Sequence, residues 1–417
     1  MIVFIKYLFL NDFVKRGGVS VFLSTLLSKI FALIGSILIV RILDQNIVGV
    51  VNFVRSHILV FMPLVGLGVG QALLRYGSYK DNWYYKKYIY LFTIKKGFKH
   101  SVLITIIFGI LSIIFSLELK NSTIYFIVYA FYIITYFFFE VYSSYTRVSN
   151  NNQRYAKLLI TFSIITLTLS LIFGYFWNGI GYIIGITISP LITVLLFDNS
   201  IIRRIANNTK ENSTTFELEK FGRHLSFGSV ANQLTLVVDT IIVGYLVNNT
   251  TLIAIYTIGT LIPSNLLFIP STYFLADFVH ISENSNKIGF TISYIKRYLK
   301  IFIPITLLLA LTIFLYSNDI IQSLFGSSYD KSVDILNIYM IGMIGSFLLR
   351  IPAGNILSAS GFAKFNANMS YIFLFINILS CIFFTYIYGI KGAAISSSVI
   401  VWISGTISSL YLIKKIK

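Results

Sequence analysis

The sequence predicts an all-α integral membrane protein with about twelve transmembrane helices in two six-helix bundles related by pseudo-two-fold symmetry. Composition is the first reason: 56% of the 417 residues are hydrophobic and only 12% are charged, whereas soluble domains contain about 25% charged residues. A second reason is that long apolar stretches recur along the whole chain. A third is that the second half of the chain repeats features of the first half.

The apolar stretches are long enough to cross a bilayer as helices of about twenty residues, and polar segments separate them. The first six spans are predicted near residues 19–41, 51–74, 100–119, 122–146, 156–176 and 180–202. The second six are predicted near residues 225–247, 253–279, 299–317, 333–357, 367–388 and 392–413.

Basic residues are concentrated in every second connection between these spans, and the connections that hold them include both termini. The remaining connections carry only Arg41, Lys120, Lys331 and Lys391. Since Lys and Arg are enriched on the cytoplasmic side of membrane proteins, this asymmetry predicts that both termini are cytoplasmic. It also predicts an even number of spans, and it explains the net charge of +18 without nucleic-acid binding.

The two halves resemble each other at a spacing of about 205 to 211 residues, which is typical of internally duplicated transporters. Phe61–Pro63 corresponds to Phe268–Pro270, and Asn178–Gly181 corresponds to Gly389–Gly392. An even number of spans in each half predicts parallel repeats. The predicted organisation is an N-terminal bundle at 1–202, a cytoplasmic linker at 203–223 and a C-terminal bundle at 224–417.

The residue types needed for several kinds of chemistry are absent or scattered. Cys381 is the single cysteine, and the four histidines lie far apart in sequence, so a metal site is not expected. The sequence contains no phosphate-binding loop, nucleophile elbow or metal-ligand spacing, so it does not predict an enzyme. Energy for any transport would come from an ion gradient, from the gradient of the cargo or from a partner.

Asp239 lies near the middle of an apolar stretch from Phe227 to Val247. An aspartate at membrane depth costs roughly 2.5 to 3.5 kcal/mol and usually faces a bundle interior, a partner or a water-filled path. Asp239 is therefore a candidate for binding a coupling ion, either sodium or a proton. The alternative is a structural role, in which it forms hydrogen bonds across the bundle. Glu140, in the fourth span, is a second candidate for protonation.

Three basic residues also fall inside predicted spans. Lys29 lies near the middle of the first span and Arg350 lies in the tenth. Both suit an anionic cargo, because guanidinium and ammonium groups bind phosphate oxygens through charge-assisted hydrogen bonds. Structural pairing with Glu140 or Asp277 is the alternative. Arg55 is about one turn into the second span, where extension of its side chain to the outer interface is favoured over cargo binding.

Several short motifs occur in a characteristic order along nearly the whole chain. They are Ser28–Ala32 before Arg41–Asp44 and Gly49, Gly66–Gly68 before Arg75–Tyr76, Asp239–Tyr245, Leu324–Tyr329, and Arg350–Asn355 with Ser360–Gly361. In these motifs the chain resembles the Wzx-type polysaccharide repeat-unit flippases of the multidrug/oligosaccharidyl-lipid/polysaccharide exporter superfamily.

The resemblance implies a MATE-like fold of two bundles in a V, around a cavity that opens alternately to the two sides of a bacterial inner membrane. The implied cargo is an undecaprenyl-pyrophosphate-linked oligosaccharide, as in O-antigen (lipopolysaccharide) or capsule assembly. A polysaccharide polymerase and a chain-length regulator are the implied partners. The related lipid II flippase has an acidic sodium ligand on its seventh helix and an asparagine on its tenth, which implies an ion-coupling role for Asp239 together with Asn355.

Two other functions are compatible with the same sequence features. A drug/cation antiporter of the same fold would favour an acidic cavity, whereas two of the groups placed centrally here, Lys29 and Arg350, are basic. A polyprenyl-dependent glycosyltransferase or polymerase would need a long extracytoplasmic loop with catalytic residues, and the predicted loops on that side are short.

Overall fold

The computed structural model describes residues 18–78, 82–117, 119, 122–206, 213–284 and 288–416. Within these ranges every regular element is helical, which confirms the predicted fold class. The residues before Gly18, Lys120, and part of the predicted linker, 207–212, lie outside the described residues. The chain divides into two compact units, Met1–Leu234 (unit 1) and Thr235–Lys417 (unit 2).

The described residues of unit 1 form seven helices and the start of an eighth, in the following order along the chain. They are α1 Gly18–Ile42, α2 Gln45–Phe61, α3 Val69–Tyr76, α4 Trp83–Phe115, α5 Thr123–Ala130, α6 Tyr132–Val148, α7 Asn152–Phe197 and the first part of α8, Ser213–Val247. The predicted linker at 203–223 therefore contains a 3₁₀ turn, Arg203–Ala206, and the first residues of α8.

Unit 2 contains the rest of α8, which crosses the boundary between the units, and the remaining helices. They are α9 Thr250–Leu266, α10 Phe268–Asn284, α11 Ile288–Leu315, α12 Ser317–Phe325, α13 Ser332–Gly345, α14 Ile351–Ala359, α15 Ala363–Tyr388 and α16 Ile390–Ile416.

The long helix α7 is two antiparallel spans joined by a tight turn. Its backbone leaves the helical region at Trp177 and Asn178. A Cβ atom on Gly181 would collide with the carbonyl oxygen of Phe173, although those residues would be about 12 Å apart along a continuous helix. Among the described residues, the 11 helices long enough to span a membrane therefore include one that is long enough to span it twice, in agreement with the prediction of about twelve spans.

The same turn occurs in unit 2, between α15 and α16. Gly389 has φ 59° and ψ −142°, and Asn178 has φ 53° and ψ −144°. Beyond the turn, Gly392 would collide with the carbonyl oxygen of Phe384 if it carried a Cβ atom. Two corresponding positions in the predicted repeat thus share one unusual backbone conformation, which supports an internal duplication.

The second span of unit 1 is interrupted between α2 and α3. The connecting segment Met62–Gly68 contains three consecutive residues with positive φ, Gly66, Leu67 and Gly68. At Gly68 the φ of 71° favours glycine, and a Cβ atom there would collide with Gly222 of α8. Non-helical backbone at membrane depth is tolerated where it is buried in protein, and here Gly66 N donates to Ser101 Oγ at 3.0 Å.

A π-helical turn, Ser346–Arg350, joins α13 to α14 in unit 2, and the backbone N–H of Ile351 donates to the carbonyl of Ser346. In the same pattern the next residue would donate to the carbonyl of Phe347. That residue is Pro352, which has no N–H. The hydroxyl of Tyr298 donates to the Phe347 carbonyl at 2.7 Å and replaces the missing bond.

Candidate functional site

Asp239 lies on the part of α8 that belongs to unit 2, and it is only 7% exposed. Its Oδ2 atom accepts hydrogen bonds from the hydroxyl of Tyr256 at 2.7 Å, from the hydroxyl of Tyr339 and from Ser397 Oγ at 3.3 Å. The backbone N–H of Thr240 donates to Oδ1 at 2.7 Å. We call Asp239, Tyr256, Tyr339 and Ser397 the Asp239 cluster.

The four side chains of the Asp239 cluster come from four different helices, α8, α9, α13 and α16. The hydroxyls of Tyr256 and Tyr339 also lie 3.0 Å from each other. An ionised carboxylate only accepts hydrogen bonds, so several hydroxyl donors on one oxygen match its charged form. The cluster also gathers oxygen atoms, which are the ligands that hard cations prefer.

Asn355, the second residue implied for ion coupling, lies on α14. Its Nδ2 atom donates to the carbonyl of Ile351 in its own helical region at 2.9 Å. Among the described residues it is not a hydrogen-bond partner of Asp239. Within the described residues, the carboxyl group of Asp239 is bound instead by tyrosine and serine hydroxyls and by one backbone N–H.

Arg350 lies at the end of the π-helical turn and is partly exposed. Its Nη1 atom donates to Asn366 Oδ1 at 3.0 Å, and its Nη2 atom donates to Ser370 Oγ at 3.2 Å. Both partners are neutral residues of α15. A Cβ atom on Gly354 would lie 3.1 Å from Nη1, so this glycine leaves the space that the guanidinium occupies.

An ion pair between Arg350 and Asp277 was the structural alternative to cargo binding within unit 2. Asp277 accepts a hydrogen bond from the hydroxyl of Tyr294 at 2.9 Å. In the described part of the chain Arg350 forms no ion pair with Asp277 or with another carboxylate. Its positive charge is therefore held in place by neutral acceptors and is not compensated by them.

In unit 1, Lys29 lies near the middle of α1 and is exposed. It makes no hydrogen bond or ion pair within the described ranges. Arg55 on α2 is partly exposed and interacts electrostatically with Tyr129, Tyr132 and Tyr182. Arg55 thus interacts with three phenol groups, whereas the ammonium group of Lys29 has no partner within the described residues.

Glu140 on α6 has a different environment from Asp239. Its side chain shares a hydrogen bond with the side chain of Gln71 on α3. Its Oε2 atom is buried and has no hydrogen-bond partner among the described residues. Glu140 also lies close to Gly70, where a Cβ atom would be 3.1 Å from its Cδ atom.

The sequence did not predict the hydroxyl donors of the Asp239 cluster. Tyr256 and Tyr339 lie 17 and 100 residues from Asp239 in the chain. Tyrosine occurs 28 times in this sequence, so neither spacing nor composition distinguishes these two from the others. Asn366 and Ser370, which accept hydrogen bonds from Arg350, lie 16 and 20 residues from it in the chain and were not predicted either.

The sequence matches the model of a family described as polysaccharide biosynthesis protein over residues 14–276. No match was found among curated proteins.

Solved structures with the same fold include membrane transporters of two kinds. The lipid II flippase MurJ, in an inward closed conformation, has a TM-score of 0.74 and 18% identity, with 94% of this chain and 87% of that chain covered. An inward-facing multidrug resistance MATE family transporter of the MOP superfamily has a TM-score of 0.67 and 14% identity, with 93% and 94% covered.

A MATE transporter of Vibrio cholerae gives a similar result, with a TM-score of 0.65 and 17% identity over 99% of this chain and 97% of that chain. Identities this low show the fold alone. The family match covers more than half of the chain, and it agrees with the fold and with the expectation of a non-enzymatic membrane protein. The chain therefore belongs to the polysaccharide biosynthesis protein family, and it shares its fold with the flippase and the transporters named above.

Proposed function

We propose that this protein is a flippase that moves an undecaprenyl-pyrophosphate-linked oligosaccharide repeat unit from the cytoplasmic to the periplasmic leaflet of a bacterial inner membrane. The glycan would serve O-antigen or capsule assembly, where a polymerase and a chain-length regulator would act next. The family match and the shared fold with a lipid II flippase support a lipid-linked cargo.

The observation that carries the proposal is the uncompensated charge of Arg350. A guanidinium group has five N–H donors, and the structure commits two nitrogens to Asn366 and Ser370. The remaining donors can bind phosphate oxygens while neutral residues keep the side chain in position. A pyrophosphate entering a partly dehydrated site needs cationic partners, and a buried cation in turn gains from an anion.

Lys29 supplies a second basic group inside a span, and it belongs to unit 1. Its exposed ammonium group has no partner within the described residues. We assign Lys29 and Arg350 to binding of the pyrophosphate, with Arg55 in a secondary role because three tyrosines already surround it. A drug/cation antiporter would gain nothing from uncompensated positive charges. These residues therefore favour the flippase function over the antiporter function.

The cation-coupling role is assigned to Asp239, with sodium or a proton as the ion. Its carboxylate is buried and bound by hydroxyl groups from three other helices of unit 2. Because these helices are distinct, loss or gain of an ion at Asp239 would change hydrogen bonds that join them. That link between a charge and helix packing is the physical requirement for coupling.

Replacement of Arg350 and Lys29 tests the cargo assignment. Arg350→Ala and Lys29→Ala should each reduce surface glycan by about tenfold or more, which corresponds to about 1.4 kcal/mol of lost binding or transition-state stabilisation. The lipid-linked intermediate should accumulate, and Arg350→Lys should restore part of the export because it lacks the planar fork. Surface glycan and membrane abundance are measured on the same cells.

Lys391→Ala is the matched control, since Lys391 is an exposed basic residue of unit 2 that pairs with Asp334 at 2.6 Å. It should export normally. If the Arg350→Ala, Lys29→Ala double variant exports as well as the Lys391→Ala control at equal abundance, the two basic residues do not receive the cargo.

Placement of both termini in the cytoplasm is part of the same proposal and rests on the distribution of basic residues. Reporter fusions after Ala206 and after the C-terminal lysine should give cytoplasmic signals. Fusions after Asn249 and Ser327 should give periplasmic signals. A periplasmic signal after Ala206 would reverse the orientation and with it the direction of transport.

A further inference from the structure

Glu140 presents a carboxyl group whose hydrogen bonding is incomplete. One hydrogen bond links it to the side chain of Gln71, and its Oε2 atom is buried without a partner among the described residues. No backbone N–H donates to the carboxyl group within those residues, although the first turn of α3 passes beside it at Gly70. The group is therefore in contact with helix α3 but is not capped by it.

The groups that face Glu140 do not supply a compensating positive charge. Helix α3 contributes the neutral amide of Gln71. Helix α6 itself contributes the phenol of Tyr136, which interacts with Glu140 and also with Tyr155 of α7. In the described part of the chain, α4 and α5 contribute no charged group that interacts with Glu140.

The surroundings of Glu140 disfavour the ionised form of its carboxyl group. A buried charge without a counter-ion or a full set of donors is strongly disfavoured in protein interiors and in membranes. A protonated carboxyl group carries no charge, and it has one donor and one acceptor that match the acceptor and donor of a carboxamide. The neutral form removes the cost of a buried charge and keeps the acceptor oxygen that the Gln71 side chain contacts.

We propose that Glu140 holds a proton in this conformation, so that unit 1 contains a proton site of its own, separate from the Asp239 cluster of unit 2. The proton comes from water and returns to water, and no covalent bond other than the O–H bond changes. Gly70 and Gln71 lie two and three residues after the interrupted segment Met62–Gly68, so the site lies beside the non-helical part of this span. Use of the site in transport rests on the proposed function.

Infrared spectroscopy of the purified full-length protein tests the proton directly, because a protonated carboxyl group has a C=O band that a carboxylate lacks. At neutral pH the wild-type protein should show this band, and Glu140→Gln should remove it. Asp239→Asn is the matched control and should leave the band in place, since hydroxyl donors favour the ionised form of Asp239. A band that survives in Glu140→Gln would overturn the proposal.

Gln71→Leu provides a second variant that keeps the glutamate and removes its partner, which covers the case in which Glu140→Gln does not fold. The band should then shift in frequency, and an unshifted band would count against Glu140 as its source. A hydrophobic carbodiimide, which reacts with protonated carboxyl groups in apolar surroundings, should label Glu140 clearly more than Asp239. Equal labelling of the two residues would contradict the proposal.

The two proposals can fail separately. The infrared experiment uses no cargo, so a band from Glu140 together with normal export from Arg350→Ala and Lys29→Ala would reject the flippase assignment and keep the proton site. A band that is absent, together with the expected export defects, would reject the proton site and keep the flippase.

Discussion

Glu140 in unit 1 and Asp239 in unit 2 are both carboxyl groups within helices that span the membrane, but their neighbours differ. Asp239 accepts three hydroxyl hydrogen bonds and one from a backbone N–H. Glu140 has one amide partner and a buried oxygen with none among the described residues. Because both groups are largely removed from water, the number of donors decides which one favours the charged form.

This comparison assigns the two carboxyl groups different tasks. A carboxylate that accepts hydrogen bonds from hydroxyls of three other helices links those helices, and in the proposed coupling role it would exchange hydroxyl donors for a cation. A neutral carboxyl group beside an interrupted span can lose its proton when water reaches it.

The largest effect is expected from Asp239→Asn, which keeps the size of the side chain and removes its charge. The three hydroxyls of the Asp239 cluster lose an anionic acceptor, and hydrogen bonds to charged groups contribute about 1.5 to 3 kcal/mol each. Glycan export at equal membrane abundance should fall by about tenfold or more, since each 1.4 kcal/mol is a factor of ten. The remaining export should no longer respond to sodium or to external pH.

Glu140→Gln is the comparison for this variant, because it imitates the neutral form that unit 1 already favours and should reduce export less. A larger defect in Glu140→Gln than in Asp239→Asn would reverse the assignment of the two groups. Normal export from Asp239→Asn, with an unchanged response to sodium and pH, would make Asp239 a structural residue.

A smaller effect is expected from Tyr256→Phe, which removes one hydroxyl donor to Asp239. The bond from Tyr256 is 2.7 Å long and the bond from Ser397 is 3.3 Å long. Removing the Tyr256 hydroxyl should cost about 1.5 to 3 kcal/mol as a bond to a charged group, whereas Ser397→Ala should cost less than about 1 kcal/mol. Thermal stability of the purified protein in one detergent gives the order of the two variants.

Equal stability of Tyr256→Phe and the wild-type protein would show that the Tyr256 hydroxyl does not support an ionised Asp239. In that case the proposed difference between Asp239 and Glu140 would have no physical basis. The two carboxyl groups would then have different neighbours but hydrogen bonds of similar strength.

Sequence patterns were sufficient for the features that depend on local composition. Apolar length predicted the spans, and the correspondence of Asn178 with Gly389 predicted a repeat whose two turns have nearly the same backbone angles. Asp239 and Glu140 stood out because carboxyl groups are rare in apolar stretches. Each of these signals can be recognised within short segments of the chain or by comparing two such segments.

The donors around Asp239 could not be predicted in this way. Tyr339 is 100 residues away from Asp239, and which face of α13 it occupies depends on how the helices rotate against each other. The π-helical turn that ends at Arg350 could not be predicted from the sequence either, because it depends on Pro352 together with a hydroxyl from Tyr298 on another helix. Sequence reasoning placed Asn355 as an ion ligand by resemblance, whereas here its amide bonds to Ile351.

The turns at Asn178 and Gly389 have a consequence for tracing the ancestry of this chain. Asparagine and glycine are the two residue types that most readily adopt positive φ, so either can occupy the turn after a gene duplication without altering its shape. The residues can then diverge while the path of the backbone is inherited. Superposition of backbone angles at such turns would therefore detect an ancient duplication that residue identity no longer reveals.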